Sequence, residues 1–316
     1  MQYILAMIVT LLLSLLIMPI VMKLSIKLKF TDKPTKRKQH KKETPLCGGI
    51  VLYICFFISF FLFVKDDIKQ QIVVFIAATA ILLIGLIDDY YKTRFKEFAI
   101  LPRLIIQLLS AVLVFKAGIA FMGFTNPFTG EFIELSKTIQ FLLTITWIFG
   151  VTTVINWSDG MDGLAGGISL ISAITFLVAA IILRQQVSAE TSIILIGSIF
   201  GFLCYNRYPA KVFMGDSGAN FLGFILSVIA LDGAFKQATV LSLFIPILAL
   251  AVPIFDNLFV IFKRFSEGKP VYQADRSQIH FRLEEKGFTP KQVVNYIMII
   301  SSVFSLISII LLLIKI

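Results

Sequence analysis

The stretch Asn156-Trp157-Ser158-Asp159-Gly160-Met161-Asp162-Gly163-Leu164-Ala165-Gly166-Gly167 sets two carboxylates and an amide among glycines, between two long apolar runs. An ionisable group at a membrane boundary is costly, which makes it a functional candidate. Glycines also let a backbone come close to an anionic ligand. A polar inter-helix turn accounts for one Asp-Gly pair, but less readily for Asp-Gly-x-Asp-Gly with an Asn three residues ahead. A second stretch, Ile84-Gly85-Leu86-Ile87-Asp88-Asp89-Tyr90, puts adjacent carboxylates at a helix end. Neighbouring helical residues point about 100° apart, so both reach one small ion only at a frayed terminus or with a second helix facing them. Side-by-side carboxylates need a cation or a proton to offset them. Mg²⁺, which takes one or two carboxylates plus phosphate oxygens, fits that need.

Three further stretches carry polar chemistry. The run from Asn206 to Gly218 holds Lys211, Phe213 and Gly215-Asp216-Ser217-Gly218. Gly-Asp-Ser-Gly also surrounds the nucleophile of trypsin-like proteases, but that chemistry needs a soluble double β-barrel with a His and a buried Asp. Asp216 and Ser217 read instead as a helix start, the place where a protein binds phosphate or carries a metal-ligand acid. His40-Lys41-Lys42-Glu43-Thr44-Pro45-Leu46-Cys47-Gly48-Gly49 joins a basic run to helix-start features. Asp275-Arg276-Ser277-Gln278-Ile279-His280-Phe281-Arg282-Leu283 lies in a long polar loop. His40 and His280 are the two histidines of the chain, which excludes a His-based metal cluster. Asp256, in an apolar run beside a helix break, reads as a structural hydrogen-bonding group or as part of the catalytic set.

The elements that must position these residues are membrane helices. Of 316 residues 58% are hydrophobic and 15% charged, which places the chain among polytopic membrane proteins. Spanning runs fall at roughly 3–22, 48–64, 71–87, 100–120, 138–155, 164–183, 190–206, 217–235, 238–262 and 291–314. The fold class is therefore all-α, about ten transmembrane helices in one domain, with sheet improbable because only helices and closed barrels cross lipid. The first run lacks a basic leader and a cleavage site, so it reads as a retained span. Three cysteines without a C-x-x-C argue against a disulfide or zinc site.

Lysines and arginines crowd the loops after spans 1 and 9, from Lys23 to Lys42 and from Lys263 to Lys291. The positive-inside rule puts those loops in the cytoplasm and both termini outside. It also accounts for the net charge of +10 without nucleic acid. Counting spans from there, Asp88-Asp89, the Asn156–Gly167 stretch, Asp216 and the His280 loop all fall on the cytoplasmic face. One shared cleft is the favoured reading.

Together these stretches resemble the polyprenyl-phosphate N-acetylhexosamine-1-phosphate transferases, from His40 to about Gly287. The resemblance rests on Thr-Pro…Gly-Gly, Asp-Asp, Asn-x-x-Asp-Gly-x-Asp-Gly-Leu-Ala, Asn-x-x-Pro-Ala-Lys-Val-Phe-Met-Gly-Asp-x-Gly and the basic loop before the last span. It implies a ten-span bundle in the bacterial cytoplasmic membrane with a cytoplasmic cleft. The implied reaction moves a sugar 1-phosphate from a UDP-sugar donor to a polyprenyl phosphate acceptor among the membrane lipids. UMP leaves, and Mg²⁺, or Mn²⁺ in its place, is required; a homodimer is compatible with the family.

By position, Asp88 and Asp89 match the paired aspartates where lipid phosphate meets metal, and Asp216 a metal-binding aspartate. Asn156, Asp159 and Asp162 match active-site positions, Asn206 and Phe213 positions lining the nucleoside pocket, and Lys41 a basic residue at the cleft. His280 matches the first His of the last cytoplasmic loop. Gln278 and Phe281 stand where the family's loop carries histidines, and Thr153 where an Asn often stands. Asp275-Arg276-Ser277 and Arg282-Leu283 favour the branch that uses UDP-GlcNAc over the one that uses UDP-MurNAc-pentapeptide.

The implied chemistry suits these residue types. A phosphate monoester has a second pKa of about 6, so it is mostly dianionic at neutral pH. The difficulty is anion meeting anion, and the protein must supply positive charge and alignment. Lys41, Lys42, Arg282 and His280 are the groups expected to stabilise the leaving UMP, with Phe213 stacking on uracil and Asn206 at its edge. A covalent phospho-aspartate at Asp89 is a second route. Two other classes fit less well. A secondary transporter keeps its acids near the midplane in repeated halves, and a CDP-alcohol phosphotransferase needs an Asp-Gly-x-x-Ala-Arg spacing that Leu164-Ala165-Gly166 breaks.

Overall fold

The computed structural model describes residues 2–33, 43–65, 67–126, 129–233, 240–270 and 275–314, with the backbone alone at 240–243. Among them the chain forms α1 (Gln2–Lys27), α2 (Gly48–Phe63), α3 (Ile68–Thr93), α4 (Ile100–Lys116), α5 (Lys137–Trp157) and α6 (Leu164–Ile182). There follow α7 (Gln186–Asn206), α8 (Gly215–Asp232), α9 (Val240–Ala249), α10 (Ala251–Ser266), α11 (Ile279–Glu285) and α12 (Pro290–Ile314). Each apolar run became a helix because no other open structure satisfies its backbone in lipid. By length and composition α1, α3, α5, α6, α7 and α12 are long and apolar enough to cross a membrane, and α2 is shorter but equally apolar. The chain is a multi-pass helical membrane protein.

Sheet, set aside on the sequence, does occur in two loops. β1 (Thr31–Asp32) pairs antiparallel with β2 (Thr44–Pro45), and β3 (Gly123–Thr125) with β4 (Phe132–Glu134). The argument from lipid applies to the spans alone, and short ribbons outside them escape it. The basic residues His40, Lys41 and Lys42 lie outside the described residues.

The centre of the bundle is α8, whose face is buried almost throughout. It packs on α3 and α5, with α2 also against it. Aromatic rings lace α2, α3 and α8 together: Phe56 meets Phe221 edge-on at 5.6 Å, and Phe57 meets Phe75 at 5.0 Å. Around this core α1 packs on α7, and α6 lies between α7 and α12.

The apolar run at 238–262 is two helices, not one. Pro246 lies within α9, and the chain breaks at Leu250 before α10 begins. Pro253 sits in the first turn of α10, where no backbone N–H is needed. A break inside an apolar bundle leaves carbonyls without partners. The Ala249 carbonyl is met by the Ser172 hydroxyl of α6 at 2.8 Å.

Candidate active site at one end of the bundle

The acid pair at the end of α3 splits into two tasks. The Asp89 carboxylate accepts from the Asp216 amide at 2.8 Å, the Ser217 amide at 3.1 Å and the Ser217 hydroxyl at 2.7 Å. Those amides belong to the first turn of α8, which has no intrahelical acceptor for them. Met214, just ahead of the helix, provides no side-chain cap. Asp89 thus caps α8 from another helix, and its anion suits the positive end of the α8 dipole. Gly215 makes this approach feasible: its φ is +70°, and a Cβ there would collide with the Asp89 carboxylate.

Asp88, on the adjacent face, is buried among cations. Its Oδ2 lies 3.0 Å from Lys92 Nζ and 3.1 Å from Arg103 Nη1. Asp216 reaches the same two cations, at 2.7 Å from Lys92 and 3.5 Å from Arg103. Acids separated by more than a hundred residues therefore share one pair of counter-charges. Neither Lys92 nor Arg103 stood out in the sequence, although both left a signal. Lys92 follows Asp88 by one helical turn, the spacing of a same-face ion pair. Arg103 is a guanidinium inside the fourth apolar run, where a charge asks for a partner.

Around the Asn156–Gly167 stretch the chain turns sharply from α5 into α6. Asp159, half-buried just past the end of α5, has its carboxyl pushed up to about 8 by desolvation and then by the Asp216 and Asp89 carboxylates. Asp162 accepts from the Ala210 amide at 2.9 Å. Asn206 is buried, accepts from the Gly163 amide at 2.9 Å and donates to the Val212 carbonyl at 2.8 Å. Asp162 and Asn206 thus lace the 156–167 turn to the 206–216 turn. Phe213 is half-buried, with its backbone N–H donating to the Pro45 carbonyl and its carbonyl accepting from the Gly48 amide, both at 2.9 Å. The start of α2, just past the basic run, is thereby docked beside Asp216.

The loop before α12 closes on the same region. His280 is 2% exposed, and its ring fills the space that Gly160 leaves by lacking a Cβ. Burial and then the positive Arg276 push its imidazole down to about 4, so it is neutral at pH 7. His280 Nε2 and Asn156 Nδ2 are both buried without a hydrogen-bond partner. Such orphans are what a polar ligand would satisfy. The Arg282 guanidinium is taken up by Asp256 at 2.6 Å. Asp275 accepts from Arg264 at 2.9 Å and 3.2 Å, and that contact holds its carboxyl below the usual range.

These observations define a polytopic helical protein in which acids from two separate stretches, Asp88 of α3 and Asp216 of α8, meet two cations at one end of the bundle. Residues 71–234 match glycosyl transferase family 4. A probable undecaprenyl-phosphate N-acetylglucosaminyl 1-phosphate transferase of Bacillus subtilis (strain 168) is 36% identical over 278 residues, 88% of this chain and 76% of that protein. A decaprenyl-phosphate N-acetylglucosaminephosphotransferase of Mycobacterium leprae (strain TN) is 29% identical over 83% of this chain and 71% of that protein. A phospho-N-acetylmuramoyl-pentapeptide-transferase of Symbiobacterium thermophilum is 30% identical over 81% of this chain and 78% of that protein. The chain belongs to glycosyl transferase family 4.

Proposed function

We propose that the chain transfers GlcNAc-1-phosphate from UDP-GlcNAc to undecaprenyl phosphate and releases UMP, the first step toward a cell-wall or surface glycopolymer. The observation that carries this reading is the meeting of Asp88 and Asp216 on the shared Lys92 and Arg103. The B. subtilis relative, whose name specifies undecaprenyl phosphate and N-acetylglucosaminyl 1-phosphate, supports the choice of sugar and acceptor. The orientation we propose puts both termini outside and the cleft in the cytoplasm, where UDP-sugars are made.

The donor set fits Mg²⁺. Among the described residues no group of three or more His, Cys, Asp or Glu is arranged to hold a metal. Two hard carboxylates facing one point suffice for an ion that draws its other ligands from phosphate and water. We assign Asp88 and Asp216 as those ligands, with Asp89 beside them. When bound, Mg²⁺ supplies charge neutralisation and polarisation at the diphosphate.

The protein's own groups do the rest. Lys92 and Arg103 lower the repulsion between lipid phosphate and diphosphate as the two approach. We assign Asp159 as the carboxylate that takes the last phosphate proton. Phe213 gives uracil a ring to stack on, and Lys41 and Lys42 meet the leaving UMP. One phosphoanhydride replaces another, so the reaction runs readily in both directions.

Radiolabelled UMP exchange in detergent tests the reading. Exchange into UDP-GlcNAc with undecaprenyl phosphate present is the expected result. Exchange with UDP-MurNAc-pentapeptide alone would move the chain to the other branch, and no exchange with any UDP-N-acetylhexosamine would refute the proposal.

A further inference from the structure

Asp256 is a carboxylate that the proposed chemistry leaves unused. Its side chain, on α10, is 8% exposed. Both of its oxygens accept from the Ile279 amide at 2.9 Å, and Oδ1 accepts from Arg282 Nη2 at 2.6 Å. Ile279 is the first residue of α11, whose preceding residue Gln278 makes no side-chain cap. The Arg282 guanidinium also lies 4.2 Å over the ring of Phe259, a second α10 residue. Seven residues are too few for α11 to stay helical unaided. Packing against α12 and the polar clamp to α10 therefore hold it, and α11 carries His280 into the recess at Gly160.

We propose that Asp256 is a positioning residue. Through the Ile279 amide and Arg282 it fixes α11 on α10, and so seats the His280 imidazole against Gly160, next in sequence to Asp159. On this assignment Arg282 is a strut of the loop and not a contact of the donor. The inference rests on the transferase reading, in which His280 touches the donor. It goes beyond that reading by making the placement of the imidazole depend on a residue of the broken ninth span.

The test is a cycle read by radiolabelled UMP exchange in the full-length protein. Asp256→Ala is made in the wild-type and in a His280→Ala background, and Arg282→Gln breaks the same clamp from its other side. Misplacing a reacting-site group by an ångström costs about a hundredfold, so Asp256→Ala should lower kcat/KM by roughly that factor in the wild type. In the His280→Ala background the further loss should be under about twofold, because residues that act as a unit are not additive. Equal fold-losses in the two backgrounds overturn the proposal, as does wild-type kcat/KM in Asp256→Ala. Arg282→Gln must repeat the pattern, and keeps the test open should Asp256→Ala fail to fold. If the wild type exchanges no UMP, it is the transferase reading that fails. The clamp is then judged by amide hydrogen exchange over 275–285, which Asp256→Ala must accelerate and which, unchanged, refutes it.

Discussion

At the scale of single residues, the proposed chemistry concentrates on Asp216. Asp216→Asn removes the charge that Lys92 and Arg103 share, and should abolish transfer, by at least about a hundredfold, while the protein still folds. Turnover near the wild-type rate would take Asp216 out of the site. Phe213→Ala should raise the nucleotide KM more than it lowers kcat, as expected for a group that binds substrate and transition state alike. His280 predicts a pH effect on stability. Its folded-state pKa, about 4, lies below the ordinary value of 6.5. The unfolded chain therefore binds the proton more readily, and stability should be full above pH 6.5 and fall as pH drops toward 4. Thermal melts of wild type and His280→Ala across that window should show a shallower slope in the variant.

The acids were legible from their types and spacing, because carboxylates at a membrane boundary are conspicuous. Their division of labour was not. Asp89 and Asp88 are neighbours with the same side chain, and only the position of α8 makes one a helix cap and the other a partner of Lys92. Asn206, expected at the uracil edge, holds two turns together, a contact made with backbone groups that no sequence pattern records.

At the scale of elements, the helices stand close to where the apolar runs put them: 164–183 for Leu164–Ile182, 291–314 for Pro290–Ile314. Lipid leaves the backbone little choice, so hydropathy alone places the spans. The exception is the run at 238–262, since composition cannot tell a continuous helix from a broken one whose free carbonyl finds a hydroxyl elsewhere. Ser172 is that hydroxyl, and its O–H is shared between the Ala249 carbonyl at 2.8 Å and the Ile168 carbonyl of its own helix at 3.0 Å. Ser172→Ala should cost about 1–3 kcal/mol by leaving the Ala249 carbonyl unpaired, read as a lower melting temperature in detergent. An unchanged melting point would mean that the break is satisfied in another way.

At the scale of the whole molecule, the site is an assembly of helix ends: α3 and α4 bring Asp88, Lys92 and Arg103, α8 brings Asp216, and the α5–α6 turn brings Asp159 and Gly160 to His280. Chelation by EDTA should abolish UMP exchange, with Mg²⁺ or Mn²⁺ restoring it; exchange that survives chelation would remove the metal from the proposal. The capping of α8 by Asp89 also bears on how the protein is made. The carboxylate's three donors lie 127 and 128 positions downstream. At about 5–20 residues per second the ribosome needs roughly 6 to 25 seconds to supply them. Throughout that interval a growing chain carries the Asp89 carboxylate with its future partner still unwritten, so that end of the bundle is completed only after the eighth helix has been made.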